Sequence, residues 1–154
     1  MREIKFRVYD IKCNTMLNVD SLFISEQMFR AENKNEYDVF NFNSDCYSDV
    51  MQYIGLKDSK GVEIYEGDIA LLPASNGVYY MEAKFDRVAK VIFDENNSSF
   101  RFILLREKCE SNRKKAKINS MGSAVYSFVD LDCYGVEQIE IIGNIYENPE
   151  LLKG

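Results

Sequence analysis

The sequence predicts a mainly β protein, and three observations lead to that fold class. Ten Tyr and ten Phe stand among 154 residues, and aromatic and β-branched side chains pack best on a pleated, half-buried surface. Apolar residues recur at every second position in several short runs, the period of a strand with one wet face. No stretch keeps the 3.6-residue period of an amphipathic helix long enough to bury a stripe. Apolar residues make up 46% of the chain, enough for a real core. Its length fits one ordinary domain or two very small ones.

The elements follow in order. Ile4, Phe6 and Val8 alternate with polar neighbours and predict a first strand. Lys12-Cys13-Asn14-Thr15 supplies a turn, and Leu17, Val19 and Phe23 predict the returning strand of a hairpin. Over residues 25–49, Ser25 is read as the cap of a short helix through Phe29. A short strand follows near Tyr37–Asn43, and the rest is a loop-rich excursion. MQYIGL (51–56) is a strand, and Lys57-Asp58-Ser59-Lys60-Gly61 is a turn. Val62 and Ile64 share a face, Glu66-Gly67-Asp68 breaks the chain, and Ile69 and Leu71 resume a strand. Pro73 to Gly77 form a loop. Residues 83–94, the polar turn Glu95-Asn96-Asn97-Ser98 and alternating Phe100, Phe102 and Leu104 make the clearest hairpin. Residues 107–123 are polar and basic, and strands return in AVYSFVDL (124–131) and QIEIIGNIY (138–146). Asn148 as N-cap, Pro149 at the first helical position and Glu150 in the first turn predict a short terminal helical turn.

Short strands punctuated by turns point to a small barrel or sandwich. The spacing in the second half is that of an SH3-like antiparallel barrel. The expected organisation is an N-terminal β-rich segment over 1–56 and a small barrel over 57–154, or one compact unit.

Composition narrows function more than it assigns it. The chain has no His, which removes Ser–His and Cys–His nucleophilic pairs and every zinc site that needs imidazole. Cys13, Cys46, Cys109 and Cys133 lack the C-x-x-C spacing of zinc knuckles and redox motifs. They are expected to be reduced and packed in the interior. The first ten residues carry no apolar signal core, and no run approaches the 20 or so apolar residues of a membrane span; the cytoplasm is the expected location. The formal net charge of −6 disfavours whole-surface attraction to nucleic acid. Neither G-x-x-x-x-G-K nor G-x-S-x-G occurs. Catalysis, a metal and a cofactor are therefore not expected.

Three constellations merit weighing. GVEIYEGD places Tyr65, Glu66 and Asp68 on a polar edge, but Gly67 suits a tight turn, Asp68 suits a local backbone bond, and Ile64 and Ile69 suit the core. The structural reading is preferred there, and equally for Gly143-Asn144 and Asn148-Pro149. Asp130 and Asp132 would share a strand face and suit Mg²⁺, yet solvated acids at a strand end explain them better. Arg113, Lys114, Lys115 and Lys117 form the best local nucleic-acid patch; a solvated loop explains them as well.

REIKFRVYD (2–10), MQYIGLKDSKGVEIYEGDIA (51–70) and IEIIGNIYENPELL (139–152) together resemble, in order, the signature segments of the YopX-like proteins of bacteriophages and prophages. The departures lie in 20–48 and 73–135, above all around 107–117. The resemblance implies an intracellular phage accessory protein with an SH3-type C-terminal barrel, and it brings no reaction. The motif positions Gly55, Gly61, Tyr65, Glu66, Gly67, Asp68, Gly143, Asn144, Tyr146, Asn148 and Pro149 are read as structural. The preferred functional reading is a non-enzymatic module that binds a host or phage protein; the alternative is a nucleic-acid-associated protein using residues 107–117. Self-association through open strand edges is a further expectation.

Overall fold

The computed structural model describes residues 3–33, 36–42, 44–72, 85–109, 128–129 and 139–152. Its strands are β1 (Phe6–Asp10), β2 (Thr15–Phe23), β3 (Met28–Asn33), β4 (Glu36–Asn41), β5 (Met51–Lys57), β6 (Glu63–Tyr65), β7 (Asp68–Leu72), β8 (Phe85–Asp94), β9 (Ser99–Cys109), β10 (Phe128–Val129) and β11 (Glu140–Asn144). A 3-10 turn, Pro149–Leu152, ends the described chain where the Asn148-Pro149 signal places it. The protein is mainly β, and its strands form two antiparallel sheets. The first has the order β4-β3-β2-β1-β5-β6 and the second β10-β9-β8-β7-β11.

The predicted N-terminal hairpin is β1–β2, with Val8 opposite Leu17 and Asn14 in the left-handed region at the turn. The predicted 83–104 hairpin is β8–β9, with Phe93 opposite Phe100 and Val91 opposite Phe102. The expected helix over 25–29 is not there. Residues 24–27 turn instead, and β3 starts at Met28. Buried Phe29 and Ala31 bracket Arg30, so alternation there aims both at one core face, which a single helical turn would not do. The loop-rich excursion is likewise a β3–β4 hairpin in which Phe29 faces Phe40.

Neither sheet closes on itself among the described residues, which therefore do not show the expected SH3-like barrel. The chain changes sheets at residues 66–67. β6 pairs back onto β5 in the first sheet, and the chain then turns into β7 of the second. The first sheet thus runs past residue 57, the expected start of the barrel segment.

Two cores result. One lies on the first sheet, where Val8, Leu17, Phe29 and Ala31 are buried and Phe29 meets the rings of Phe40, Phe42 and Tyr47 at 5.4, 5.9 and 5.5 Å. The other lies between β5–β6 and the second sheet, with Ile54, Ile64, Leu72, Val91, Phe102 and Ile139 at its centre. Each fully buried large side chain of this kind contributes roughly 1.5–3 kcal/mol.

Candidate functional site

The segments that carry the resemblance converge on one joint between the sheets. Gly67 sits at its centre with φ +81°, a conformation that suits glycine. Its N–H donates to the Val91 carbonyl of β8 at 2.9 Å, and its carbonyl accepts the Ile145 N–H at 3.0 Å. A Cβ built there would lie 3.3 Å from the Met51 sulfur, so the approach is close as well as left-handed.

Asp68, fully buried, follows directly. One carboxylate oxygen accepts the Tyr65 N–H at 2.7 Å and the other pairs with the Arg7 guanidinium of β1. The guanidinium lies 4.5 Å from the centre of the Tyr65 ring, a cation–π contact out of solvent. Burial pushes the Asp68 carboxyl up, against the pull of Arg7. Burial, then the bond from its hydroxyl to Glu63, pushes Tyr65 up to about 12. Glu63 also takes the Lys5 ammonium at 2.5 Å, a second tie between the 2–10 segment and the 51–70 segment.

Asp58 ties the same segment to the C-terminal one. Its Oδ1 accepts the N–H of Lys60 and of Val62, both at 2.8 Å, and its Oδ2 accepts the Ile141 N–H of β11 at 3.0 Å. Gly61 closes this turn at φ +83° with open space around it, and its N–H returns to the Asp58 carbonyl. Gly55 also has positive φ and lies exposed in β5.

After β11 the chain is folded by amide side chains. Asn144 Oδ1 accepts the N–H of Tyr146 and Glu147 at 3.0 and 2.9 Å, and Asn148 Oδ1 accepts the Asn144 N–H at 3.3 Å. This turn stacks the Tyr146 ring on Tyr9 of β1 at 5.4 Å and 15°. Gly143 is needed because a Cβ there would fall within 2.7 Å of Asn148 Cγ. Gly143→Ala should therefore lower unfolding free energy by about 2 kcal/mol in urea titrations. Adding Asn148→Gly should cost less than the two single changes summed, because the second removes the clash; strict additivity would contradict this account.

On the joint lies a shallow cleft of about 150 Å³, lined by residues that include Asp49, Met51, Glu66, Lys90, Ile145 and Tyr146. Its lining carries both charge signs beside apolar side chains. Among the described residues no group of three or more His, Cys, Asp or Glu side chains is placed to hold a metal. No described helix is long and apolar enough to cross a membrane.

Of the residues singled out in the sequence, Tyr65, Glu66, Gly67, Asp68, Gly143, Asn144, Tyr146 and Asn148 meet at or beside this joint, and Pro149 opens the turn after it. Arg113, Lys114, Lys115, Lys117, Asp130, Asp132 and Cys133 lie outside the described residues. Cys13 is exposed rather than packed inside, because it sits in the β1–β2 turn. Cys46 is half-buried, and the Lys12 ammonium followed by the Ser44 hydroxyl holds its thiol below the ordinary range. Arg7, Tyr9 and Asp58 were not singled out. Asp58 had a signal in Asp-Ser-Lys-Gly, an Asx-turn composition. Arg7 had none, since its partner stands 61 positions away.

The sequence model described as YopX protein matches residues 5–153. Among solved structures, the crystal structure of protein EF1440 from Enterococcus faecalis is similar at a TM-score of 0.50 and 25% identity, over 99% of this chain and 100% of that one. No curated protein matches the chain.

Proposed function

The chain belongs to the YopX protein family, and on that premise we propose that it is a non-enzymatic protein-interaction module. In this reading it is a phage or prophage accessory protein that acts in the bacterial cytoplasm by occupying a surface of a host or phage protein. In this reading the second sheet belongs to the small barrel that the resemblance implies, and both sheets serve as a scaffold for exposed hairpin tips. One observation supports the reading above the others: large apolar side chains stand in water at those tips. Ile24, between β2 and β3, is 78% exposed, and Phe93, beside the β8–β9 turn, is 43% exposed with Phe100 against its ring. Exposed apolar groups held on turns suit a protein partner better than they suit solvent. Arg7, Asp58 and Asp68 of the family segments, by contrast, are engaged in tying distant strands together.

The test is affinity purification of the tagged full chain from bacterial cells, beside the variants Ile24→Asp and Phe93→Asp. Both side chains are exposed, so each variant should keep its melting temperature within about 2 °C. The expected result is one protein recovered in near-equal amount with the wild type and reduced at least tenfold with one of the variants. Nuclease-sensitive material in its place would support the alternative that residues 107–117 bind nucleic acid. Recovery of no companion, or of one indifferent to both substitutions, would overturn the interaction surface offered here.

A further inference from the structure

We propose that β4 is a dimerisation edge, pairing antiparallel with β4 of a second copy in one defined register centred on Val39. This goes beyond the reading above and does not depend on it. β4 ends its sheet, and among the described residues nothing pairs with its outer side. Native edges are commonly blunted with charged side chains, Lys above all, or with Pro; the EYDVFN of β4 has no Lys or Pro, and its two acids, Glu36 and Asp38, stand at positions whose backbone groups serve β3 rather than the open edge.

The register follows from hydrogen-bond parity. The Phe42 N–H donates to the Gln27 carbonyl at 2.9 Å, and β4 pairs with β3 through Phe40 opposite Phe29 and Asp38 opposite Ala31. In an antiparallel ladder, residues that aim both backbone groups at one neighbour alternate with residues that aim them away. Phe42, Phe40, Asp38 and Glu36 thus serve β3, and Tyr37, Val39 and Asn41 present their N–H and C=O groups outward. A two-fold axis that pairs outward groups with outward groups over the full strand sets Val39 opposite Val39 of the second copy. Tyr37 then stands opposite Asn41, and each facing pair makes two hydrogen bonds.

Positions Glu36 and Asp38 fall opposite Phe42 and Phe40 of the second copy, so no two acidic positions face each other. Val39 is 50% exposed and stands opposite Arg30, on the face away from the core. Next along that face, Met28 lies opposite both Asn41 and the partly exposed Phe23. Pairing sets Val39 against its own copy on this face, and the six-stranded sheet continues across the axis. An isologous contact of this kind closes after two copies.

The experiment is sedimentation equilibrium of the full chain from about 1 to 200 µM, with Val39→Lys, Val39→Cys and Asn41→Cys alongside. The expected result is a wild-type dimer in this range and a dissociation constant at least tenfold weaker for Val39→Lys, which sets two ammonium groups on the axis. Val39→Cys should form an interchain disulfide under mild oxidation, because facing Cα atoms lie about 5.5 Å apart. Asn41→Cys should cross-link no more than wild type, because its own copy lies four positions along, about 13 Å away. A wild type that stays monomeric at 200 µM would overturn the proposal. So would a dimer indifferent to Val39→Lys, or cross-linking at Asn41 equal to that at Val39.

Discussion

Asp68→Ala is expected to lower the unfolding free energy by about 3–5 kcal/mol, the usual cost of stripping one partner from a buried ion pair. The reason is what it would leave behind. Arg7 is held in the interior by the Asp68 carboxylate and the Tyr65 ring, and its Nε is buried with no hydrogen-bond partner among the described residues. Without Asp68 the guanidinium keeps its desolvation cost and loses its counter-charge, and the Tyr65 N–H loses its acceptor as well. For a chain of this size each kcal/mol moves the melting temperature by roughly 2–4 °C, so a drop of about 10 °C is the expected reading. The pair variant Arg7→Met with Asp68→Leu should recover most of it, since no charge is then stranded. Burial raises the Asp68 carboxyl above its unfolded value, so ionising it costs more in the fold than in the unfolded chain, and stability falls as pH rises from that value through the folded pKa. The wild type should therefore lead the pair variant most in acid and least at neutral pH. An Asp68→Ala loss below 1 kcal/mol would remove the ion pair from the account of how the sheets are joined.

Much of the fold was legible because it is local. The β1–β2 and β8–β9 hairpins announce themselves through alternation and turn residues within about 20 positions, and Asn148-Pro149 marks the terminal turn by its own capping chemistry. The short strand read near Tyr37–Asn43 is β4, but Ser25 to Asn33 was misread for a physical reason: Ser25 is a fair cap, and only the burial of Phe29 and Ala31 against β1, β2 and the Tyr47 ring selects strand over helix. The break between β6 and β7 stands where Glu66-Gly67-Asp68 predicts it, but the change of sheet there was invisible because it depends on which sheet receives each strand. The same holds for the joint. Gly67 and Asp68 were rightly noticed as turn residues, but Asp68 serves Arg7 far along the chain, and no local pattern encodes that pairing. The sequence thus displays which residues bend the backbone and hides which of them bridge the sheets.

Asp58→Ala carries the second large expectation, a loss of about 3 kcal/mol, because one carboxylate serves three backbone donors. Two of them, Lys60 and Val62, lie in its own exposed turn and would be partly rehydrated in the variant. The third, the half-buried Ile141 N–H, belongs to β11, and its loss should loosen that strand from the turn that covers its edge. Ser59 donates to the Ile139 carbonyl at 2.8 Å in the same place, so the damage should concentrate there. Amide exchange supplies the local readout: Ile141 should exchange at least tenfold faster, with Val8 in the far core unchanged relative to the global shift. Asp58→Asn should fall between wild type and Ala, keeping an acceptor for the turn while turning an amide donor towards Ile141. Burial pushes the Asp58 carboxyl up, but the N–H groups of Ile141, Val62 and Lys60 together outweigh it and the net direction is down. A carboxyl lowered on folding contributes stability above its unfolded value, near 4, and loses it as pH falls through the folded pKa. The gap between wild type and Asp58→Asn should therefore be full at neutral pH and shrink below about pH 4. A gap independent of pH, or an Asp58→Ala variant as stable as wild type, would show that the turn is held by its backbone bonds alone.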